Sequence, residues 1–274
     1  MKKILITGGN GNIAKIIKNK LSSLYYIECP TKNQLNVLNI NEISNYLLNK
    51  NFDILIHTAI VGGRRTKEET SDVVYKNLIM FENLLMFANK FKMIINLDSA
   101  AIYDRSTDIF NRKEEDLFTV PLDYYGLSKY LIYKRTLCYN NIFNFRIFNI
   151  FHENEENDRF IKSCFISKKN NTSVNIFEDK YFDFMYKDDF LSILEYYLKN
   201  IDSISNLEKT INICYNKKYK LSDIAKLILN SENNINILDK YSRNNYSGDS
   251  NKLDKLNIKL NGLEKSLKDM ELNF

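Results

Sequence analysis

The sequence predicts an α/β fold built on a doubly wound parallel sheet. Short apolar runs, which are typical of buried strands, alternate in the first half of the chain with helical segments. This alternation is typical of sheets in which helices connect parallel strands and cover both faces. The predicted strands are Ile4–Thr7, Tyr25–Cys29, Ile54–Thr58, Met93–Leu97 and Phe143–Ile150.

A glycine-rich turn follows the first predicted strand. Three of the eight glycines, Gly8, Gly9 and Gly11, lie in this turn, and a helix is predicted from about Asn12 to Leu24. Glycine permits a sharp turn and a close approach of the backbone to a pyrophosphate. The N–H groups at the start of a helix bind phosphate without a basic side chain. The turn therefore predicts a Rossmann-type dinucleotide-binding fold, with ligands at the carboxyl ends of the strands.

The chain is expected to form two parts. Residues 1–150 are predicted to be the dinucleotide-binding domain, because the regular alternation of strands and helices lies there. Residues 151–274 are less regular, with short strand candidates at Val174–Phe177 and Thr210–Cys214. They are predicted to form mainly a smaller substrate-binding lobe, with segments that return to the sheet. A chain of 274 residues, 44% of them hydrophobic, can bury cores of this size.

The composition argues against several classes of partner. The net charge is +5 and the lysines are scattered among acidic residues, which is typical of a solvated surface and argues against nucleic acid. The four cysteines are far apart and form no C-x-x-C pair, so we expect reduced thiols and no metal site. No apolar stretch approaches the roughly twenty residues of a membrane helix, and the chain enters a strand too early for a signal peptide. A cytoplasmic protein without a membrane partner is expected.

Three residues are candidates for catalysis. Tyr125 and Lys129 are four positions apart in a predicted helix and therefore lie on one face of it. A free tyrosine has a pKa of about 10, and the charge of a neighbouring lysine lowers that pKa. Ser99 follows a predicted strand, and its hydroxyl is placed to form a hydrogen bond with the same reacting oxygen of the substrate as Tyr125. A Tyr-x-x-x-Lys pair alone is common on helix surfaces, whereas the ordered set of glycine turn, serine and Tyr-x-x-x-Lys is far more specific.

With these motifs the chain resembles the extended short-chain dehydrogenase/reductase family, which acts on nucleotide-activated sugars. The likeness extends over nearly the whole chain, and the further segments that carry it are His57-Thr58-Ala59, Lys76-Asn77, Arg146–Phe151, Asp183–Asp189, Asn212–Cys214, Leu221–Ala225 and Asp249–Leu253. Within the family the pattern is similar to that of the GDP-fucose synthases. The run Cys29–Asn39 and the segment Val61-Gly62-Gly63 after His-x-Ala carry this closer likeness.

The departures from that pattern bear on the reaction. The epimerising cysteine of GDP-fucose synthases corresponds to Ala101 here, and its partner histidine falls near Arg159. Dehydratases of the family carry an Asp-Glu pair directly after the serine or threonine, where this chain has Ala100 and Ala101. The resemblance therefore implies reduction, without epimerisation, of the C4 keto group of a GDP-linked deoxy- or heptose-type sugar for surface polysaccharide synthesis. The alternatives are a nucleotide-sugar 4-epimerase with retained NAD and a non-catalytic dinucleotide-binding relative.

The expected cofactor is NADPH, with NAD as the alternative. An acidic residue at the end of the second strand indicates NAD and a basic one NADP, and here Pro30-Thr31-Lys32 follows the strand with no acid past Glu28. The resemblance implies these cofactor contacts: Gly8, Asn10, Gly11, Asn12, Ile13, Thr31, Lys32, Asn36, Val37, His57, Ala59, Leu97, Tyr125, Lys129 and Ile150.

The resemblance also implies substrate contacts and an oligomeric state. The expected substrate contacts are Val61, Gly62, Arg64, Ser99, Asn149 and Arg159. Phe182 replaces the arginine that the family places before the segment Asp183–Asp189, so the cations considered for the substrate diphosphate are Arg64, Arg159, Lys162 and Arg243. A homodimer is expected, paired through the helix predicted at Val74–Phe91 and the helix that begins near Tyr125.

Overall fold

The computed structural model describes residues 1–64, 68–239 and 244–274. It contains two compact units, each assembled from three stretches of the chain. Unit 1 comprises Met1–Asp104, Leu117–Arg146 and Tyr197–Ile211. Unit 2 comprises Arg105–Asp116, Ile147–Tyr196 and Asn212–Phe274.

The strands and helices are numbered in chain order. The strands are β1 Lys3–Thr7, β2 Tyr26–Glu28, β3 Ile54–His57, β4 Met93–Ser99, β5 Ile109–Arg112, β6 Ile142–Ile147, β7 Ile150–Phe151, β8 Val174–Glu178, β9 Met185–Tyr186, β10 Thr210–Ile213, β11 Ile235–Asp239 and β12 Tyr246–Gly248. The α-helices are α1 Asn12–Leu21, α2 Ile40–Leu48, α3 Asp72–Leu85, α4 Tyr124–Thr136, α5 Phe160–Asn170, α6 Lys187–Lys199, α7 Leu221–Leu229, α8 Asn251–Asp254 and α9 Leu263–Leu272. Short 3₁₀ helices lie at Ala88–Lys90, Ala100–Tyr103 and Ile201–Asn206.

The central sheet confirms the predicted fold class. Within the described residues it has six strands, in the order β2-β1-β3-β4-β6-β10. Strand β1 pairs in parallel with β2 and β3, and β3 pairs in parallel with β4. The order of connection reverses beside β1, which has β2 on one side and β3 on the other. Ligands of doubly wound sheets bind at such a reversal, outside the carboxyl ends of the strands.

The core of unit 1 explains why the central strands are apolar on both faces. Ile4, Leu5 and Ile6 of β1 are all fully buried, because helices cover the sheet on each side. One cluster joins strand residues to helix residues, and burying each large apolar side chain contributes roughly 1.5–3 kcal/mol. Its members include Leu5, Leu55, Ile94, Ile43, Leu47, Met80, Phe81, Leu84 and Ile132.

Three predicted elements end at least three residues earlier in the structure than predicted. The run Phe143–Ile150 is not one strand, because its last part leaves the sheet and Ile150 pairs with Met185 of β9. The first helix ends at Leu21 rather than Leu24. The helix predicted at Val74–Phe91 ends at Leu85, and a separate 3₁₀ turn follows it.

Unit 2 contains three two-stranded sheets, β11 with β8, β12 with β5 and β7 with β9, as far as the structure describes it. Two carboxylates of the segment Asp183–Asp189 hold its loops together. Asp183 is buried and accepts hydrogen bonds from Lys218 Nζ at 2.7 Å and Gly248 N at 2.8 Å. Asp189 accepts one from the Tyr215 hydroxyl at 2.6 Å. In this structure both carboxylates have structural contacts within their own unit.

A buried ion pair joins β4 to β6 in unit 1. Arg146 Nε donates to Asp98 Oδ2 at 2.8 Å, and both side chains are fully buried. Arg146 Nη1 also donates to the Tyr103 hydroxyl at 2.9 Å, and the guanidinium lies 4.8 Å from the ring centres of Tyr103 and Tyr133. Burial lowers the pKa of Arg146, but the charges of Tyr103 and Asp98 and the hydrogen bonds to them outweigh this effect and raise it. Breaking such a pair leaves an uncompensated charge in the core.

Replacing Arg146 is therefore expected to destabilise the fold strongly. Arg146→Leu should lower the free energy of unfolding by about 3–5 kcal/mol, because Asp98 loses its partner while buried. The matched control is Arg135→Leu, which removes the exposed pair with Glu82 and should cost less than about 1 kcal/mol. Urea unfolding of both variants measures the difference, and equal losses would contradict the prediction.

Candidate functional site

The glycine turn follows β1 at the reversal of the sheet. Gly8 has a φ of +72°, and its carbonyl accepts the Gly11 N–H at 2.8 Å. Gly11 is the N-cap of α1, whose first turn has no side-chain cap and no acidic residue. The first N–H groups of α1 and its positive dipole end therefore suit an anion. The predicted phosphate contacts Gly8, Asn10, Gly11, Asn12 and Ile13 all lie in this turn or at the start of α1.

The turn packs so closely against its neighbours that two of its positions exclude a side chain. A Cβ at Gly8 would lie 2.8 Å from the Ala59 Cα, and a Cβ at Gly9 would lie 2.3 Å from the Cys29 carbonyl oxygen. The Gly9 N–H also donates to the Pro30 carbonyl at 2.9 Å. The turn is thus held between the chain segments that follow β2 and β3.

Thr7, which the sequence analysis did not single out, joins the ends of β1 and β3. Its hydroxyl oxygen accepts the N–H groups of Thr58 at 3.2 Å and Ala59 at 3.3 Å, and it lies 2.9 Å from His57 Nδ1. Because the hydroxyl accepts both N–H groups, its own proton is directed to Nδ1, which leaves the histidine hydrogen on Nε2. His57 is buried, and this burial, together with the charge of Lys129, lowers its pKa to about 3. His57 is therefore neutral at physiological pH.

The segment after Ser99 packs against the start of α4. Ser99 ends β4, and its Oγ accepts the Ala101 N–H at 3.2 Å. A Cβ at Gly126 would lie 2.7 Å from the Ala101 carbonyl oxygen, so only glycine permits this approach. Asp123 caps α4 by accepting the Gly126 N–H at 2.7 Å. The structure therefore brings the turn after Ser99 into contact with the first turn of the helix that carries Tyr125.

Lys129 is buried beside Tyr125. Its Nζ donates to the Leu97 carbonyl at 2.6 Å and lies 5.9 Å from the centre of the Tyr125 ring. Burial lowers the pKa of Lys129 to about 8, and the charge of Asp98 opposes this effect. The ammonium form still predominates at neutral pH. One of its three donors is used by Leu97, which leaves two for a ligand.

The loop after β3 is fixed to α3 and α4 through Asn77. This buried side chain accepts the Val61 N–H and donates to the Val61 carbonyl, both at 2.9 Å, and it donates to Ser128 Oγ at 3.0 Å. Two residues further on, a Cβ at Gly63 would lie 3.0 Å from Cε2 and Cζ of Tyr125. The predicted substrate contacts Val61 and Gly62 therefore lie on a loop that is in contact with the candidate catalytic tyrosine.

The carboxylate of Glu28, the last residue of β2, has side-chain partners. It accepts the Tyr46 hydroxyl at 2.5 Å and Lys50 Nζ at 2.6 Å, and these bonds lower its pKa against the effect of burial. Thr31 donates to Gln34 from both its N–H and its hydroxyl, and Lys32 is exposed. The predicted cofactor contacts Asn36 and Val37 follow; Val37 is buried and the Asn36 N–H donates to Glu42.

Within unit 2 the structure brings Asn149 and Arg159 together. Arg159 Nη2 donates to Asn149 Oδ1 at 2.8 Å, and Arg159 Nε lies 3.7 Å from Glu155 Oε2. Burial raises the pKa of Glu155 to about 7. Lys162 donates to the carbonyls of Glu153 and Glu155, which gives it a structural role in that loop. Arg64 is exposed, Ile150 is buried in β7, and Arg243 lies outside the described residues.

Within residues 1–64, 68–239 and 244–274, no helix has the length and apolar character needed to cross a membrane. The same part of the chain contains no group of three or more His, Cys, Asp or Glu side chains that could hold a metal ion.

Residues 4–214 match the model of the NAD dependent epimerase/dehydratase family. No curated protein matches the chain. Among solved structures, GDP-mannoheptose C4 reductase from Campylobacter jejuni with NADP bound is 18% identical with a TM-score of 0.80, covering 100% of this chain and 98% of that one.

Two other solved structures show the same fold. dTDP-4-dehydrorhamnose reductase from Bacillus anthracis in complex with NADP is 19% identical with a TM-score of 0.81, covering 100% of this chain and 99% of that one. UDP-N-acetylglucosamine 4-epimerase from Bacillus cereus is 19% identical with a TM-score of 0.77, covering 100% and 96%. At these identities the likeness shows a shared fold.

The glycine turn allows a matched test of steric exclusion. Gly8 and Gly262 both have positive φ, +72° and +78°, but only a Cβ at Gly8 meets another residue. Gly262→Ala should cost about 1–2 kcal/mol of stability for the backbone conformation alone. Gly8→Ala should cost more and should also weaken binding of the nicotinamide dinucleotide, because the turn must move away from Ala59. Urea unfolding and a binding titration measure both effects, and equal behaviour of the two variants would contradict this account.

The buried His57 predicts an acid-sensitive fold. Its pKa is about 3 in the folded chain, below its ordinary value, so between about pH 6.5 and pH 3 the unfolded chain binds the additional proton. Stability from this group is complete above about pH 6.5 and falls as the pH drops, by up to about 1.4 kcal/mol per pH unit. The free energy of unfolding of His57→Gln should depend less on pH over this range, and curves parallel to wild type would refute the assignment.

Proposed function

The chain belongs to the NAD dependent epimerase/dehydratase family, and on that premise we propose that it reduces the C4 keto group of a nucleotide-activated sugar with NADPH. The substrate that we propose is a GDP-linked deoxy- or heptose-type sugar, and the product serves surface polysaccharide synthesis. The observation that carries the proposal is the buried Lys129 beside Tyr125, on a helix packed against the turn that follows Ser99.

The residues at the reversal of the sheet fit a nicotinamide dinucleotide. The uncapped start of α1 and the side-chain-free Gly8 and Gly9 leave backbone N–H groups for a pyrophosphate. Lys129, with two free donors, would hold the ribose of the nicotinamide half, and Leu97 fixes the direction of that side chain. The bound cofactor supplies the hydride for the reduction.

The chain's own residues supply the proton and stabilise charge. Tyr125 gives its phenolic proton to the alkoxide that develops on C4, and Ser99 donates a hydrogen bond to the same oxygen. The Lys129 ammonium favours the resulting phenolate. Holding the substrate beside these groups removes much of the entropic barrier.

This chain has alanine at the two positions where an epimerase or a dehydratase would need an acid or a base. Ala100 and Ala101 are 0% and 1% exposed, so neither position offers an acid, a base or room for one. This supports simple reduction. The two reductases described above share this fold, which agrees with the proposal.

The proposal of NADPH rests on the segment after β2. An acidic side chain there would bind the ribose 2′-hydroxyl of NAD, but Glu28 is occupied by Tyr46 and Lys50. Thr31 and the exposed Lys32 follow it and would meet a 2′-phosphate. Both of those reductases were solved with NADP.

We also propose a cytoplasmic homodimer that pairs through α3 and α4. Exposed apolar side chains on or next to these helices support the pairing: Tyr75 is 62% exposed, Met86 70% and Leu137 57%. The four free cysteines agree with a reducing compartment.

A nucleotide-sugar 4-epimerase is the second candidate. It needs only Ser99, Tyr125, Lys129 and a retained nicotinamide, all compatible with this site. The shared fold of the Bacillus cereus 4-epimerase favours keeping this candidate.

To decide between the keto reductase and the 4-epimerase, the purified chain is incubated with NADPH or NADH and a panel of 4-keto nucleotide sugars. The loss of reduced nicotinamide is then followed. Consumption that depends on a GDP-linked 4-keto sugar and is faster with NADPH is expected. Interconversion of ordinary UDP-sugars without net consumption would support the epimerase instead.

Replacing the proton donor separates catalysis from binding. Tyr125→Phe should lower turnover by at least about 100-fold, because the alkoxide loses its proton source, while NADPH binding persists. The matched control is Tyr124→Phe, at a neighbouring position that is 42% exposed, and it should retain wild-type turnover. Nicotinamide absorbance and a binding titration provide the two measurements, and full activity of Tyr125→Phe would refute the proposed role.

A further inference from the structure

The carboxylate of Glu69 links the backbone of Tyr125, the candidate proton donor, to the turn at Gly62 and Gly63. Glu69 Oε1 accepts the Gly63 N–H at 2.5 Å, and Glu69 Oε2 accepts the Tyr125 N–H at 3.2 Å. We propose that Glu69 is a positioning residue that sets the Tyr125 ring against Gly63. This inference rests on the proposed function, in which Tyr125 delivers the proton.

The Tyr125 N–H lies in the first turn of α4, where N–H groups have no acceptor within the helix. Tyr124 is the first residue of the helix, so the N–H of Tyr125 has no carbonyl partner within it. Asp123 accepts the N–H of Gly126, and Glu69 accepts that of Tyr125. A carboxylate is favoured at this end of a helix, and its bonds to N–H groups are stronger than neutral ones. Glu69 thus acts as a cap that comes from outside the helix.

The other oxygen of Glu69 fixes a turn that glycine alone adopts at low cost. Gly62 and Gly63 have φ values of +83° and +90°. A Cβ at Gly63 would lie 3.0 Å from Cζ of Tyr125, the carbon that bears the phenolic oxygen. Gly63 therefore forms one wall for the reactive end of the ring. By binding both the turn and the Tyr125 backbone, Glu69 sets the distance between this wall and the helix.

Asn77 holds the same loop independently. It binds Val61 and Ser128, so its bonds survive the loss of Glu69. The fold is expected to remain, whereas the Tyr125 ring loses its fixed place. A displacement of about 1 Å can cost about 100-fold in rate, so the defect should be in kcat and not in cofactor binding. The same loop carries Val61 and Gly62, which couples substrate contacts to the proton donor.

The test compares Glu69→Ala and Glu69→Gln with the control Glu68→Ala, which removes the exposed neighbouring carboxylate. Three quantities are measured: kcat with the 4-keto sugar, the Kd of NADPH, and amide hydrogen exchange at Gly63 and Tyr125 without substrate. Glu69→Ala should lower kcat about 10- to 100-fold with the Kd unchanged and should speed exchange at both amides. Glu69→Gln keeps one carbonyl acceptor and should lie between Glu69→Ala and wild type. The control should match wild type.

The outcomes separate this inference from the proposed function. If wild type reduces no keto sugar, the proposed function fails, and exchange alone decides whether Glu69 holds the two amides. Unchanged exchange at Gly63 and Tyr125 in Glu69→Ala would overturn the inference. Faster exchange with undiminished kcat would overturn it as well. Should Glu69→Ala fail to fold, the same criteria apply to Glu69→Gln.

Discussion

The side-chain oxygen of Thr7 is the contact on which the ligand end of the sheet depends. It binds two N–H groups and a neutral histidine where β1 and β3 end, at the reversal of strand order. Because these bonds fix the end of β3, the Ala59 backbone comes close enough to require glycine at position 8. The same chain segment continues to Val61 and Gly63, so the position of the turn that faces Tyr125 also depends on Thr7.

The strands of the sheet were largely predictable, and the exception has a physical cause. Ile4–Thr7 and Ile54–Thr58 were recognisable because strands buried on both faces are continuously apolar. The run Phe143–Ile150 was also predicted as one strand, although Asn144, Arg146 and Asn149 interrupt its apolar residues, and the structure divides it between two sheets. Apolar periodicity records burial and carries no information about the pairing partner, so the change from β6 to β7 left no trace in the pattern.

The candidate site was predictable only where local spacing carries the chemistry. The glycine turn and the Tyr125–Lys129 pair lie within single short segments, and helix periodicity places the latter on one face. Glu69 and Thr7 act on residues that are 56 and 50 positions away, through hydrogen bonds that leave no pattern in one sequence. The segment Asp183–Asp189 shows the converse. It helped to identify the family, yet two of its carboxylates bind groups within unit 2.

The buried methyl groups of Ala100 and Ala101 have a stereochemical consequence. For the reaction we propose, no group at these positions can exchange the hydrogens on the carbons that flank the ketone. The reaction would then leave the configurations at C3 and C5 unchanged, and it would determine only the configuration of the new alcohol at C4. On this proposal another enzyme would carry out any inversion at those carbons, and introducing it here would require a change at Ala101, whose carbonyl oxygen packs against Gly126.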